Sequence, residues 1–264
     1  MIDSAAPTRP DALFSVAGKT VVVTGGTRGI GRMIAGGFVA ADANVIVASR
    51  KADAVEAAVA ELSAYGSCTG LVADLSTEEG ARAFAGAVAT DYERVHVLVN
   101  NAGATWGAPL AEHDAVSWER VLNLNVQGVF HTTKFFIPLL EAASTPEDPA
   151  RVINIGSIDG IHVPVLESYS YSSSKAAVHQ LTRHLARHLA PGITVNAVAP
   201  GPFESKMMAA TLDAFGEQIA ASAPLKRIGR PDDMAGVAIF LASRAGAYLT
   251  GAIIPVDGGI ATVG

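Results

Sequence analysis

The sequence predicts a doubly wound α/β domain, a seven-stranded parallel sheet with helices on both faces, on three observations. Seven short β-branched runs alternate with longer Ala-rich segments of helical character. The runs are apolar throughout rather than at every second residue, and half of the chain is hydrophobic while only 17% is charged. Strands covered on both faces need continuous apolar runs, and intervening helices supply the crossovers of a parallel sheet. Mean hydropathy is positive, yet no stretch approaches the roughly 20 apolar residues of a membrane-spanning helix. The excess is therefore assigned to the sheet and to an oligomer interface.

The elements follow in order. Residues 1–15 form a polar, proline-bearing leader without the charged start and apolar stretch of a secretory signal. The expected strands are Thr20 to Thr24, Val45 to Ala48, Gly70 to Ala73, Val95 to Val99, Arg151 to Ile155, Thr194 to Ala197 and Ala252 to Pro255. No repeat or linker divides the rest, so residues 16–264 are expected to be a single domain. The least regular stretch, Pro200 to Arg230, precedes a helix expected to start near Pro231. An insertion at the carboxyl end of a strand overlies the ligand crevice, so this stretch is expected to be a lid.

Directly after the first strand comes Thr24-Gly25-Gly26-Thr27-Arg28-Gly29-Ile30-Gly31, then a helical pattern. Glycines at this place let the chain turn sharply and let a pyrophosphate approach the helix N-terminus, where unpaired N–H groups favour negative charge. Where NAD-binding chains put an acid after the second strand, this one has Ser49-Arg50-Lys51. A carboxylate there would repel a ribose phosphate and a guanidinium would clasp it. Together with Arg28, these residues predict NADP(H) rather than NAD(H).

Tyr171 and Lys175 stand four apart in a segment that reads as a helix, so they share a face. A free tyrosine titrates near about 10, and a cation beside it would lower that value, making an acid/base of the phenol. Ser157 follows the fifth strand, at the carboxyl edge, where its hydroxyl can donate to a carbonyl oxygen that gains charge. Asn100-Asn101-Ala102-Gly103 ends the fourth strand at the same edge, and Asn125 lies in the next helix.

On these residues the chain resembles the short-chain dehydrogenase/reductase family in its compact, single-domain, Rossmann-type form, from the first strand to nearly the last residue. The matching pieces are TGGTRGIG, Asp74, NNAG, Asn125, Ser157, the YSSSK segment and Pro200-Gly201. The resemblance implies a catalytic tetrad of Asn125, Ser157, Tyr171 and Lys175, with Asn125 holding a water that links Lys175 to solvent. It implies cofactor contacts from Gly25, Thr27, Arg28, Gly29, Ile30, Gly31, Ser49, Arg50, Asp74, Leu75, Asn101, Ala102, Gly103, Tyr171, Lys175, Pro200, Gly201, Phe203 and Ser205. Asp74 would hold the adenine and Lys175 the nicotinamide ribose as well. Relatives usually carry a branched aliphatic residue and a threonine where this chain has Phe203 and Ser205. The serine keeps the hydroxyl. The resemblance also implies a homotetramer and is nearest in look to 3-oxoacyl reductases. Polyol or sugar-acid dehydrogenases and steroid or small-ketone reductases use the same frame, and a non-catalytic dinucleotide-binding sensor is the alternative outside enzymes.

A net charge of −6 without a dense Lys/Arg block argues against nucleic acid or an anionic membrane as partner and leaves a small carbonyl or alcohol substrate. Cys68 is the only cysteine, so no intramolecular disulfide forms, and a cytoplasmic location is expected. His184 and His188 share a helix face but lack a third ligand or an HExxH pattern, so no metal is expected. Tyr169 lacks a lysine four residues on, since position 173 is serine, and is expected to line the pocket. His162, which follows Ser157 and Asp159, is a candidate to touch substrate. Trp106 and Phe203 are apolar walls or packing residues.

Overall fold

The computed structural model describes residues 8–204 and 209–263. Seven strands form one sheet: β1 (Thr20–Thr24), β2 (Asn44–Ser49), β3 (Cys68–Val72), β4 (Val97–Asn100), β5 (Ala150–Ile155), β6 (Ile193–Pro200) and β7 (Ile253–Val256). Every neighbouring pair is parallel, in the order β3-β2-β1-β4-β5-β6-β7. The order reverses between β1 and β4, and a doubly wound sheet opens its ligand crevice at that point.

Successive side chains of a strand face opposite ways, and the two cores show it. Val21 and Val23 pack on one side with Ile34, Phe38, Met234 and Leu241. Val22 packs on the other with Phe84, Phe136, Leu140 and Ala186. The first face is covered by α2 (Gly29–Ala40), α3 (Ala52–Leu62) and α9 (Pro231–Ala242). The second is covered by α4 (Glu78–Asp91), α6 (Val129–Glu141) and α7 (Tyr169–Leu189), with α5 (Ala115–Leu122) beside α7.

Two regions differ from expectation. The leader contains a one-turn helix, α1 (Pro10–Leu13), for which Pro10 at N1 and Asp11 in the first turn are suited. The stretch expected to be irregular holds α8 (Ala209–Ser222), whose five alanines favour helix over the turns that the flanking Pro and Gly suggest. The helix at Pro231 begins where expected, with Pro231 at N1 and the Asp233 carboxylate accepting from the Arg230 amide at 2.7 Å. A short α10 (Ile260–Val263) follows β7.

Candidate active site

β1 ends at Thr24, and the chain turns into α2 through Gly25 at φ +64 and Gly29 at φ +52, conformations that favour glycine. A Cβ on Gly25 would lie 2.8 Å from Asn101 Nδ2, and one on Gly31 would collide with the same amide. The neighbouring strand end sets this shape. The Thr24 hydroxyl accepts from the amides of Asn101 at 2.9 Å and Ala102 at 3.0 Å. Asn101 Nδ2 donates to Thr24 O at 2.9 Å and Gly25 O at 3.1 Å. Both protons of the Asn101 amide therefore brace the turn, so this side chain builds the cradle and does not reach out of it. The bracing role of Thr24 is visible only once β1 and β4 are adjacent.

Beside the cradle, Arg28 precedes α2 and Arg50 follows β2, and both are exposed. Among the described residues neither has a carboxylate within ion-pair distance, whereas Arg32 meets Glu61 at 3.1 Å. Asp74 accepts from Ser76 N at 3.1 Å and Ser76 Oγ at 2.8 Å. Burial works to raise its carboxyl, but the Ser76 bonds and the charge of Arg50 outweigh it and hold the group below its usual range. The Leu75 side chain lies in the core, which leaves only its backbone at the surface of the crevice. Closely approaching glycines, unpaired helix-start amides and two free guanidinium groups fit a dinucleotide that carries an extra phosphate.

The second cluster forms where β4, β5 and α7 meet. Tyr171 sits in the first turn of α7, with Lys175 one turn on, and Lys175 Nζ lies 5.5 Å from the Tyr171 ring centre. The ammonium donates to Ile155 O at 2.7 Å, which anchors it to the end of β5. Ser157 is two residues further along, and its Oγ accepts from the Asp159 amide at 3.1 Å. That bond leaves the hydroxyl proton free to be donated. A Cβ on Gly103 would lie 3.3 Å from Asn125 Oδ1 and 3.9 Å from Lys175 Nζ, so the NNAG turn closes the same space.

Asn125 is buried in a π-turn, Asn123–Gly128, between α5 and α6. Its Oδ1 accepts from Ala104 N at 2.8 Å, and its Nδ2 donates to Ala104 O at 2.9 Å and to Ser174 Oγ at 2.9 Å. Ser174 Oγ donates in turn to Tyr171 O at 2.6 Å. The side chain thus ties the NNAG turn to the start of α7. A π-turn shifts the i→i−4 ladder of main-chain bonds at this place. Neither Ser174 nor the π-turn has a signature in the sequence.

The electrostatics differ from a simple lysine-activated phenol. Burial pushes Tyr171 up to about 12, against a favourable hydrogen bond from Ser157 and with a further rise from the Asp159 charge. Burial pushes Lys175 down to about 8, with Asp159 opposing. Burial thus penalises both charges and works against the lowering of the tyrosine that the spacing alone suggests. At neutral pH the phenol holds its proton.

Other expected residues fall in varied places. Tyr169 donates to Glu167 Oε1 at 2.9 Å and packs edge-on against His113, so it braces two loops. Phe203 is buried against Gly229 and belongs to the core. Pro200 ends β6, and Gly201 N donates to Val256 O at 3.0 Å. Ser205 lies outside the described residues. The His162 ring lies near Asp159, with Nδ1 3.0 Å from Val163 O. His184 and His188 have ring centres 5.6 Å apart on α7.

Comparison with known proteins places this arrangement. The model of a family described as enoyl-(acyl carrier protein) reductase matches residues 25–261. The rhamnolipids biosynthesis 3-oxoacyl-[acyl-carrier-protein] reductase of Pseudomonas aeruginosa is 48% identical over 250 residues, covering 93% of this chain and 97% of the relative. Galactitol 2-dehydrogenase (L-tagatose-forming) of Cereibacter sphaeroides is 38% identical over 253 residues, 94% of this chain and 96% of its own. Among solved structures, the Pseudomonas aeruginosa RhlG/NADP active-site complex superposes with a TM-score of 0.92 at 47% identity, covering 95% of this chain and 99% of that one.

Proposed function

The chain belongs to the short-chain dehydrogenase/reductase family, and on that premise we propose that it is an NADP(H)-dependent oxidoreductase interconverting a ketone and a secondary alcohol, of the 3-oxoacyl reductase type. One observation carries the reading: Ser157, Tyr171 and Lys175 meet at the carboxyl edge of the sheet, next to the glycine cradle. The NADP in the solved Pseudomonas relative supports the cofactor, as do Arg28 and Arg50, which meet no carboxylate among the described residues.

Gly25, Thr27, Gly29, Ile30 and Gly31 would hold the pyrophosphate, Ser49 with Arg28 and Arg50 the ribose phosphate, and Asp74 and Leu75 the adenine. Ala102, Gly103, Lys175, Pro200 and Gly201 would hold the nicotinamide end. The cofactor supplies the hydride when bound. The chain supplies the proton: Tyr171, neutral at pH 7, donates from its hydroxyl to the carbonyl oxygen, and Ser157 donates a hydrogen bond to that same oxygen. The phenolate left behind regains its proton through Lys175 and water at the Asn125 backbone.

The chain is assigned to the cytoplasm, and no helix among the described residues is long and apolar enough to cross a membrane. It is assigned as a homotetramer, for which exposed Val116, Phe130 and Tyr248 and the open outer edge of β7 supply apolar and strand-edge surface.

The test is NADPH consumption against a panel of 3-oxoacyl thioesters, polyols, sugar acids and small ketones, each repeated with NADH. A 3-oxoacyl thioester is expected to be the best substrate, with kcat/KM for NADPH roughly 10-fold or more above that for NADH. A sugar acid or polyol as best substrate, or equal use of NADH, contradicts the reading.

A further inference from the structure

Two loops flank Ser157 and Tyr171, and both turn apolar side chains to solvent. The segment 161–166 (IHVPVL) leaves Ile161 at 45%, Val163 at 90%, Val165 at 102% and Leu166 at 58% exposure. The loop after β4 leaves Trp106 at 38% and Leu110 at 67%. The two loops are tied together. Glu167 O accepts from Ala108 N at 3.2 Å and its carboxylate accepts from Leu110 N at 3.3 Å. His113 Nε2 lies 3.0 Å from Ala108 O and 3.2 Å from Glu167 O. Single exposed apolar residues are ordinary, but a joined set beside a reactive centre marks a binding surface.

The charges narrow what binds there. Residues 101–119 and 156–174 contain no lysine or arginine and five carboxylates, Glu112, Asp114, Glu119, Asp159 and Glu167; the next cations along the chain are Arg120 on α5 and Lys175, which is held against Ile155 O in the catalytic cluster. A sugar acid would find no cation on these loops, and a polyol would find few polar partners on side chains that are mostly valine, leucine and isoleucine. An alkyl chain finds apolar surface it can cover. Position does the rest: the 161–166 segment begins four residues after Ser157 and ends five before Tyr171, so a substrate with its carbonyl between those hydroxyls leaves the site past these side chains.

We propose that this two-loop surface takes the alkyl chain of a long-chain 3-oxoacyl substrate, so that Trp106, Leu110, Ile161, Val163, Val165 and Leu166 read chain length. The proposal rests on the reductase reading above and adds the part of the substrate that reading leaves open.

The experiment measures kcat/KM with the coenzyme A thioesters of 3-oxobutanoate, 3-oxohexanoate, 3-oxooctanoate and 3-oxodecanoate, and with carrier-protein-bound 3-oxodecanoate, on the wild type and on the Val163→Ser/Val165→Ser double variant. Binding of 3-hydroxydecanoate and 3-hydroxybutanoate to the enzyme–NADP+ complex is followed by calorimetry. In the wild type kcat/KM should climb with length, mainly through KM, by up to roughly fourfold for each methylene that becomes fully buried. The double variant should lower the decanoyl-to-butanoyl ratio about 10-fold or more, with either carrier, and weaken 3-hydroxydecanoate binding in parallel. A flat length profile, or an unchanged ratio in the variant, overturns the proposal while turnover of 3-oxobutanoyl thioester keeps the reductase reading. A variant that changes molecular mass in light scattering without changing the ratio shows that a second copy of the chain covers the loops, and also overturns it. No turnover of any 3-oxoacyl thioester overturns both.

Discussion

Tyr171 keeps its proton because burial makes phenolate costly, and that suits reduction, where the neutral phenol is the acid. Oxidation requires the phenolate, so the rate of alcohol oxidation should rise with pH. Asp159 controls where that rise falls. Its negative charge raises Tyr171 and supports the charged form of Lys175, and Asp159→Asn should therefore move the rise to lower pH. An unmoved or upward-shifted pH profile would contradict the assignment. His179, one turn beyond Lys175, is pushed down to about 4, first by burial and then by the charge of Lys175. Its ring lies under Gly156 and Gly160, which hold the Ser157 turn. The unfolded chain takes up this proton near pH 6.5 and the folded one only near 4. The contribution is complete above 6.5 and is lost as pH falls from there toward 4. Chemical denaturation across that range should show a shallower loss for His179→Gln than for the wild type, and equal slopes would exclude His179 as a source. The tyrosine that lies beside a lysine was legible from the four-residue spacing. The direction of its pKa shift was not, because burial depends on contacts from β5 and the NNAG turn.

At the scale of elements, the pattern of apolar runs located all seven strands within a few residues, and TGGTRGIG located the start of α2, since local chemistry decides both. The π-turn at Asn123–Gly128 and the bracing of the glycine loop by Thr24 and Asn101 were not legible. The bracing arises from pairing between strands β1 and β4, which are about 75 residues apart, as in the Thr24–Val99 bond. Alanine-rich α8 was hidden by its Pro- and Gly-bearing flanks. The two guanidinium groups at the ends of neighbouring elements give the clearest prediction at this scale. Arg28→Ala/Arg50→Ala should weaken NADPH roughly 10- to 100-fold, the worth of one or two charge-assisted hydrogen bonds, and leave NADH nearly unchanged. Fluorescence titration with both nucleotides checks it, and a parallel loss of both would mean that the arginines support the fold of the loop instead.

Across the whole molecule, the site occupies the carboxyl edge of the sheet and an ionic network locks the amino edge. Arg151 is fully buried on β5 and donates to Asp148 Oδ1 at 2.8 Å, Leu241 O at 3.0 Å and Ser243 O at 3.1 Å. Lys19, just before β1, donates to the other Asp148 oxygen at 2.6 Å and to Ala242 O at 3.0 Å. One carboxylate thus serves two cations and joins β1, β5 and α9. Asp148→Ala should destabilise the protein toward the lower end of the roughly 3–5 kcal/mol cost of breaking a buried pair, because Asp148 keeps some contact with water. Denaturant unfolding checks this, and a change within about 0.5 kcal/mol would rule the network out as a stabilising feature. The proposed chemistry depends on Tyr171 acting as the acid and not as scaffolding. The most direct measurement is Tyr171→Phe assayed twice on one folded preparation, for NADPH affinity and for single-turnover NADPH oxidation with a 3-oxoacyl thioester. The predicted result is an affinity within about twofold of wild type and a rate lower by roughly 100- to 10,000-fold. Turnover near the wild-type rate would contradict it.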